Sequence, residues 1–412
     1  MSRPAPAPAE QPTPISPIFT DHICHKMVPV FLFTLIGCCL FIVYGALIDY
    51  YHRAWTSIAV FAGNAPTGHT RISVLIPARN ESLRIASCIE SLSLQTYPKH
   101  LYEVTVIDDH STDGTSDIVE GLHYPSLTLR CLRPSEVPDQ PGTVAYKKLA
   151  IETGIRAATG DLIVTTDADC LFHPGWLTTL AAFYEQKGAK FIAAPVRIGH
   201  PIRLSFLSVF QTLDFITLQG ITGAAVHKKF HSMCNGANLA YEKRAFDEVD
   251  GFKDIDTIPS GDDMLLMHKI YKKYPDAVFF LKSPQAIVST RPETSWKDFF
   301  HQRVRWASKA DRYDDRRIFR VLLLVYLLNA SFLILAVAAC WNLWWLWLLV
   351  IGLLTKTLLE FPFVNTVAGF FDQQSLMRWF PLLQPFHIVY TVFIGWMGKF
   401  GSYRWKDRII NK

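Results

Sequence analysis

Three long stretches without a charged residue constrain this 412-residue chain more than any other feature, because they indicate helices in a membrane. Met27 to Ile48 is long enough to cross a hydrocarbon core, which needs about 20 helical residues. We interpret it as an anchor, because no small-residue cleavage site of a signal peptide follows it. The stretch 321–355 is nearly long enough for two crossings and predicts a helical hairpin. Its turn should fall at Trp341 and Asn342, where tryptophans cluster as they do at membrane interfaces.

The third uncharged stretch, Phe380 to Met397, is harder to assign, because Pro381 and Pro385 interrupt its beginning. It could span the membrane, lie in the interface or re-enter. Basic residues cluster before the hairpin and again at the C-terminus, as the positive-inside rule expects of cytoplasmic segments. Another crossing would place the basic C-terminus outside. We therefore predict that this last stretch does not span.

The composition limits the classes of function. Half of the residues are hydrophobic and only 19% are charged, which is too apolar for a disordered chain. The net charge of +5 is small, and nothing in its distribution indicates a nucleic-acid partner. The eight cysteines form no CxxC pair, which argues against structural zinc and favours free thiols in a reducing compartment.

The segment from Pro66 to Arg317 alternates short β-branched runs with stretches of helical spacing. The runs lie at 71–76, 103–107, 127–132, 162–166 and 191–196, and the helical stretches at 83–94, 146–158 and 174–186. This alternation predicts an α/β domain with a mostly parallel sheet covered by helices on both faces. Ligands of such sheets bind beyond the carboxyl ends of the strands. Polar residues at those ends are therefore the first candidates for a site.

Acidic residues follow three of the predicted strands. Glu81 comes after the first, and Asp108 and Asp109 end the second; a carboxylate in such a place can also be a helix cap or a turn former. Asp167 and Asp169 follow the run 162–166 with one residue between them, a costly cluster of negative charge unless a cation joins it. Hard oxygen ligands suit Mg²⁺ or Mn²⁺, which often share their shell with substrate phosphates. We therefore expect one of these metals at this pair.

Seven short motifs occur in an order that resembles glycosyltransferase family 2. They are IPARNE (76–81), IDDHSTDGT (107–115), KKLAIETGIRAATGD (147–161), TDAD (166–169), NGANLAY (235–241), SGDD (260–263) and QRVRW (302–306). The flanking apolar stretches are similar to those of the membrane-bound branch, which includes cellulose, hyaluronan and ceramide-glucosyl synthases. The resemblance implies the GT-A fold, a Rossmann-like nucleotide-sugar-binding domain, flanked here by transmembrane helices.

The resemblance also implies roles for individual residues. The base and ribose of a nucleotide-sugar would be held by Pro77, Arg79, Glu81, Asp108 and Asp109. Lys147 would meet the pyrophosphate, and Asp169 with Asp167 would hold the metal. Asp263 would be the general base, with Asp262 as the alternative base and the better candidate for the cap of the next helix.

The last motif contributes four further residues to the implied site. Gln302, Arg303, Arg305 and Trp306 would form an amphipathic segment that closes the site at the membrane surface, near the acceptor and the diphosphate. Arginine can bind phosphate through two parallel hydrogen bonds, and a tryptophan face can bound a sugar or a lipid headgroup. The alternative is an interfacial helix whose arginines only meet anionic lipid headgroups.

These interpretations divide the chain into six parts. We expect a disordered Pro/Ala-rich tail over 1–26, a transmembrane anchor over 27–48, a GT-A domain over 66–317, a transmembrane hairpin over 318–361, a membrane or interfacial segment over 380–398 and a basic cytoplasmic tail over 399–412. The catalytic domain should face the cytoplasm at the inner membrane, where the donor is made.

The predicted function is inverting transfer of a sugar from a nucleotide-sugar, UDP-linked in our expectation, to a lipid-linked or glycan acceptor. A processive polysaccharide synthase is one alternative, but so few helices would need a homo-oligomer or a membrane partner to form a channel. A non-catalytic scaffold is another, and the acids at positions 109, 169 and 263 argue against it. A transporter is disfavoured, because no charged residue lies in the middle of a predicted span.

Overall fold

The computed structural model describes residues 17–63, 69–136, 145–199, 204–230, 233–258, 261–308, 316–401, 403–405 and 408–410. Residues 1–16 of the predicted tail over 1–26 lie outside the described residues. From Pro17 onward the chain is already helical, so the prediction of a disordered tail is wrong for its last part. Proline is well tolerated in the first turn of a helix, where its missing N–H would have no partner anyway.

The strands form one large sheet and two small ones. They are β1 Ile72–Ala78, β2 Tyr102–Asp108, β3 Thr128–Leu132, β4 Leu162–Thr165, β5 Leu171–Phe172, β6 Phe191–Ala193, β7 Val196–Ile198, β8 Leu239–Glu242, β9 Val278–Phe280, β10 Val288–Thr290, β11 Tyr403–Trp405 and β12 Arg408–Ile410. The large sheet has the order β3-β2-β1-β4-β8-β6-β9, in which only β8 is antiparallel to its neighbours. The small sheets are β5-β10-β7 and β11-β12. The predicted α/β class with a mostly parallel sheet is confirmed.

Helices cover both faces of the sheet and continue into an apolar bundle. They are α1 Pro17–Ser57, α2 Ile85–Ser93, α3 Thr115–Gly121, α4 Tyr146–Ala157, α5 Trp176–Lys187, α6 Phe206–His227, α7 Lys243–Glu248, α8 Met264–Lys273, α9 Trp296–Ala307, α10 Arg316–Ala339, α11 Leu343–Phe370 and α12 Phe380–Phe400. Successive residues of β1 point to opposite faces, so Val74 and Ile76 join one core and Leu75 the other. This two-sided burial explains why the strands read as continuous apolar runs.

Helix α6 joins the sheet to the apolar helices. It packs on β7 and β9 on one side and on α1 and α11 on the other. Two of its glycines make this packing close: a Cβ on Gly220 would lie 2.5 Å from Val367, and one on Gly223 would lie 2.7 Å from Trp55. Any larger residue at either position would therefore push α6 away from α11 or α1.

Four helical segments are long and apolar enough to cross a membrane. They are Phe31–Ser57, Arg316–Ala339, Leu343–Phe370 and Gln374–Phe400. The chain turns between α10 and α11 at residues 340–342, where the sequence predicts the turn. The side chain of Asn342 accepts a hydrogen bond from the Trp344 N–H at 2.9 Å and so caps α11. Whether α12 spans the membrane stays a prediction.

Helix α11 does not end near residue 361, as the sequence suggested, but continues to Phe370. Lys356 and Glu360 therefore lie inside it, and the premise that no charged residue falls within an apolar helix is wrong. The two side chains form an ion pair at 2.6 Å. Gln384 of α12 bonds to both of them, and the Tyr44 hydroxyl of α1 donates to Glu360. Because both charges have partners, the helix can continue past them in an apolar environment.

Helix α12 lies along α9 rather than apart from the sheet domain. Phe386 contacts Trp296 with ring centroids 5.3 Å apart, and Tyr390 contacts Phe299 at 5.7 Å. Near the other end of the pair, a Cβ on Gly398 would lie 2.6 Å from the Ala307 side chain. The two helices are thus in contact over most of their length.

Candidate functional site

The loops after β1 and β2 form one unit at the carboxyl edge of the sheet. Asn80 and His110 both have positive φ angles, of 53° and 56°, a conformation in which asparagine and histidine are enriched. The Asn80 side-chain oxygen accepts a hydrogen bond from the Thr112 N–H at 2.9 Å. The backbone N–H of Asn80 donates to the Ser111 hydroxyl at 2.9 Å. These bonds fix the two loops against each other.

The five predicted donor residues lie together in this unit. Pro77 is next to last in β1, and Glu81 is buried in the following loop. Arg79 donates to the carbonyl oxygens of Asp109 and His110 at 2.6 and 3.1 Å, which holds the second loop under the first. Asp109 is buried beside His110, with 3.4 Å between the carboxylate and the ring.

The carboxylate of Asp108 forms its hydrogen bonds within its own loop. One carboxylate oxygen accepts a hydrogen bond from the Ser111 N–H at 3.0 Å, and the other accepts from the Ser116 hydroxyl. The carboxylate is buried. These bonds hold the turn after β2 in shape.

Lys147 lies at the centre of the charged part of the site. Its ammonium is 2.8 Å from the Asp167 carboxylate and 3.5 Å from that of Asp262. Burial lowers the pKa of Lys147, but the carboxylates of Asp167 and Asp262 raise it by more, so the pKa lies above the usual lysine range. The lysine is thus a permanent cation where three parts of the chain meet.

Gly236 provides the space in which this ion pair forms. A Cβ at this position would lie 3.3 Å from the Lys147 ammonium, 3.4 Å from the Asp262 carboxylate and 3.7 Å from the Cβ of Asp263. The sequence places Gly236 in the NGANLAY motif but gives no reason for a glycine there. The reason is the close approach of these three side chains.

Asp167 and Asp169 follow β4, as the sequence predicts. The Thr290 hydroxyl of β10 donates to the Asp169 carboxylate at 3.1 Å. Burial, and then the negative charges of Asp167 and Glu81, raise the pKa of Asp169. Among the described residues no group of three or more His, Cys, Asp or Glu side chains could hold a metal alone. The pair nevertheless fits Mg²⁺ or Mn²⁺ if other oxygens, such as those of phosphates, complete the shell.

The structure corrects the assignment of the helix cap before α8. Asp263, not Asp262, is the N-cap residue, and its carboxylate accepts a hydrogen bond from the Met264 N–H at 2.8 Å. Asp262 instead faces Lys147. Gly261 precedes the pair with a φ of +84°, a left-handed conformation that favours glycine. Both lie at the site, and Asp263 also lines a cavity that it shares with Asn235 and Trp306.

The four residues of the last motif lie on α9 and have different surroundings. Gln302 donates to the Glu293 carboxylate at 2.8 Å. Arg303 is only 2% exposed and pairs with Asp214 of α6 at 2.9 Å. Its guanidinium stacks on the ring of Trp306 at 4.3 Å. Arg303 is therefore buried, whereas the interfacial alternative requires it to be exposed to lipid headgroups. Arg305 is half-buried.

Asp214 and Glu293 belong to the site's surroundings although sequence reasoning missed them. Asp214 is an acid within the apolar helix α6, a signal that could have been noticed. Glu293 lies outside every motif, and no sequence signal distinguishes it. Burial raises the pKa of Glu293, and the nearby charges of Asp298 and Asp169 add to the effect.

Comparison with known families gives two overlapping matches. The family described as Glycosyl transferase family 2 matches residues 73–249, and Glycosyl transferase family group 2 matches residues 162–397, more than half of the chain. Glycosyltransferase AglE of Haloferax volcanii is 32% identical over 130 residues, 32% of this chain and 40% of that protein. The probable glycosyltransferase YdaM of Bacillus subtilis is 26% identical over 248 residues, 58% of this chain and 54% of that protein. The chain thus spans about half or less of the length of these relatives.

A shorter match and a solved structure complete the comparison. Beta-monoglucosyldiacylglycerol synthase of Nostoc is 34% identical over 116 residues, 28% of this chain and 24% of that protein. The mannosyltransferase PcManGT of Pyrobaculum calidifontis, solved in complex with GDP-Man and Mn²⁺, superposes with a TM-score of 0.58 at 18% identity. The superposition covers 89% of this chain and 97% of that one, and at this identity it shows a shared fold.

Proposed function

This chain belongs to glycosyltransferase family 2, and we propose that it is an inverting, metal-dependent enzyme that glycosylates a lipid-linked or glycan acceptor at a membrane. The family is one of glycosyltransferases, and the proposal includes a nucleotide-sugar as the donor. The proposal concerns the acceptor, the metal, the stereochemistry and the membrane face. UDP is the proposed nucleotide.

One observation supports the proposal more than any other. Asp263, the candidate base, lines a cavity together with residues of the apolar helices α1, α10 and α12. A Cβ on Gly236 would lie 3.7 Å from the Cβ of this aspartate and 3.3 Å from the Lys147 ammonium, so both side chains border the same glycine. A donor held at Lys147 and an acceptor arriving from the membrane side would therefore meet at Asp263.

The residues of the donor site would act as follows. Lys147 would bind the diphosphate as a compact cation, while Arg79 and Asp109 would position the nucleoside beside the loops after β1 and β2. Asp169 and Asp167 would hold Mg²⁺ or Mn²⁺, which when bound supplies Lewis-acid stabilisation of the leaving diphosphate. The Mn²⁺ in the PcManGT complex supports this choice of metal class.

The reaction at the acceptor hydroxyl would need one general base. Asp263 would take the proton of the acceptor hydroxyl as that oxygen attacks the anomeric carbon, while the bond from this carbon to the diphosphate breaks. A single displacement inverts the configuration at the anomeric carbon. Asp262 would act indirectly, by holding Lys147 through the 3.5 Å contact.

The proposed location follows from the charge of the chain and the source of the donor. Nucleotide-sugars are made in the cytoplasm, and basic residues precede α10 in the sequence, as expected of a cytoplasmic flank. We place the catalytic domain on the cytoplasmic face of the inner membrane. The packing of α12 along α9 supports a last helix that stays on that face, because α9 belongs to the catalytic domain.

The test is turnover of a donor panel by the purified protein in lipid nanodiscs. UDP-glucose, UDP-N-acetylglucosamine, UDP-galactose and GDP-mannose would each be offered with Mg²⁺ or Mn²⁺ and a total extract of membrane lipids. We expect release of nucleoside diphosphate from one donor, its loss with EDTA, and a product with inverted anomeric configuration by NMR.

The matched control is the Lys147→Met variant, which keeps much of the side-chain volume but removes the charge. It should bind the active donor much more weakly. Retention of the donor's anomeric configuration, or full activity in EDTA, would contradict the corresponding part of the proposal.

A further inference from the structure

A cavity of about 740 Å³ opens from the candidate base into the apolar helices. This volume falls within the roughly 300–1,000 Å³ of typical small-molecule sites. Asn235, Asp263 and residues of α9 line it on the side of the catalytic domain, and α1, α6, α10, α11 and α12 supply most of the rest of its wall. The cavity is therefore continuous from the place of reaction to the membrane helices.

The wall of the cavity suits a hydrocarbon chain more than a saccharide. Leu213 and Leu218 of α6, Ile318 and Leu322 of α10, and Ile394 of α12 contribute apolar side chains. Polysaccharide would need a row of hydrogen-bonding groups along its path, whereas most of the surface of this wall is apolar. Leu322 is 41% exposed, so the wall opens to the surroundings beside α10.

The buried charges next to the cavity are already compensated. Arg303 pairs with Asp214, and Lys356 pairs with Glu360. These two pairs therefore add no net positive charge to the buried part of the wall that would attract a phosphate. Lys399 also lines the cavity, but it is exposed and lies near the end of α12, away from a buried headgroup position.

The position of Asp263 adds a second argument about the headgroup. A carboxylate repels an ionised phosphate oxygen at close range, and such an oxygen needs no base before it attacks. A hydroxyl is neutral and does need one. Asp263 at the reacting end of the cavity is therefore suited to an uncharged alcohol.

Three buried nitrogen atoms on two side chains of the wall have no hydrogen-bond partner among the described residues. The Nε and Nη1 atoms of Arg303, and Nδ1 of His387, have no hydrogen-bond partner among the residues that the structure describes. Both side chains line the cavity. Buried donors without partners are rare in native proteins, so a ligand oxygen at Arg303 would complete the site.

We propose that this cavity binds the acceptor itself, an uncharged long-chain lipid with a free hydroxyl, which enters beside α10. The inference rests on the proposed function and specifies its acceptor. The lipid hydroxyl lies at Asp263, its ester or second hydroxyl oxygen accepts from Arg303, and its chains fill the apolar part. In the reaction the lipid oxygen bonds to the anomeric carbon, its proton goes to Asp263, and the nucleoside diphosphate leaves with the electron pair of the broken bond.

The experiment compares two leucines of the same helix. Leu322 lines the cavity, whereas Leu327 does not and is similarly exposed, at 45%. In nanodiscs with the active radiolabelled nucleotide-sugar, we expect the wild type to label dioleoylglycerol. Leu322→Trp should lower kcat/KM for this lipid at least tenfold, and Leu327→Trp should leave it within twofold. Both variants must melt at the temperature of the wild type.

Three results would overturn the inference. Equal transfer by the two variants would show that the cavity is not the acceptor path. Preferential labelling of undecaprenyl phosphate would show an anionic acceptor, and transfer to a soluble oligosaccharide alone would show that no lipid is needed. Each of these leaves the glycosyltransferase activity intact, so they differ from a failure of the proposed function, in which no donor is cleaved.

A binding measurement tests the cavity even if no donor is cleaved. A dioleoylglycerol analogue with a diazirine in one chain should crosslink to the α10 peptide that contains Val321 and Leu322, and Leu322→Trp should reduce this labelling. Crosslinking confined to the outer side of α10, or unchanged by the variant, would contradict the inference.

Discussion

The Asp263→Asn variant separates two roles that the structure gives to the same side chain. Asp263 caps α8 through a 2.8 Å hydrogen bond from the Met264 N–H, and it lines the cavity in which we place the acceptor. Asparagine caps helices about as well as aspartate, because its carbonyl oxygen can accept the same bond. It is a far weaker base. The substitution therefore removes the proton acceptor while it keeps the cap.

The expected magnitudes differ enough to be told apart. General base catalysis contributes about 10²-fold to 10⁴-fold, which corresponds to roughly 2.7–5.5 kcal/mol in the free energy of activation. Loss of an N-cap costs about 0.5–2 kcal/mol in the free energy of unfolding. Asp263→Asn should thus lose rate at an unchanged melting temperature. Asp263→Ala should lose a similar rate and also melt earlier.

The assay is release of nucleoside diphosphate under single-turnover conditions in nanodiscs, with donor affinity measured separately. Asp262→Asn is the matched control, because its carboxylate contacts the Lys147 ammonium at 3.5 Å. We expect Asp263→Asn to keep donor affinity and lose the chemical step. Asp262→Asn should mainly weaken donor binding.

Two outcomes would refute this reasoning. If Asp263→Asn reacts at the wild-type rate and Asp262→Asn does not react, the base is Asp262. If both react at the wild-type rate, neither acid before α8 takes the proton.

Three further predictions concern the metal pair, the glycine and the buried ion pair. Burial and the negative charges of Asp167 and Glu81 raise the pKa of Asp169, so the stability that its protonated form contributes is lost as the pH rises through that pKa. Asp169→Asn should therefore raise the melting temperature of the metal-free protein at pH 7, with a smaller effect at pH 4. The same variant should lose the stabilisation that Mn²⁺ with UDP gives to the wild type. An unchanged or lower melting temperature at pH 7 would contradict this. Gly236→Ala should lower kcat/KM for the donor by about 3-fold to 10-fold, because the added Cβ would lie 3.3 Å from the Lys147 ammonium. Kinetics over a range of donor concentrations check this, and an unaltered KM would contradict it. Lys356→Met should destabilise the protein by about 3–5 kcal/mol by leaving Glu360 buried and unpaired, and the added change Glu360→Met should recover most of this loss in denaturant unfolding in detergent. Equal stability of the single and double variants would show that the pair is not coupled.

The strands and the acids at their ends could be predicted from the sequence because their signals are local. A run such as 162–166 is read from a few consecutive residues, and the position of Asp167 and Asp169 after it follows from the direction of the chain. The order of the seven motifs added the family, which the comparisons confirm. Both kinds of information lie within short segments.

The contacts that complete the site could not be predicted, because they join distant parts of the chain. Tyr44 and Glu360 are 316 positions apart, and nothing near either residue indicates the other. The choice between Asp262 and Asp263 as the cap depended on the residue at which α8 begins, a detail of backbone geometry. The end of α11 was misplaced for a related reason: Glu360 neutralises Lys356 from within the same helix, but the Gln384 side chain that bonds to both charges comes from α12.

The same long-range contacts show that the anchor is part of the catalytic domain's core. The ammonium of Lys282, which follows β9, donates to the carbonyl oxygens of Trp55 and Ile58 at 2.9 and 3.3 Å. It thereby gives a partner to the carbonyl of Ile58, just beyond α1, and a second bond to that of Trp55, which also accepts from the Ile58 N–H at 3.3 Å. Trp55 itself is fully buried against Phe280 of β9 and the helix that contains Gly223. A helix that only tethered the domain would need none of these contacts, so the end of α1 belongs to the core of the sheet domain, and the two stabilise each other.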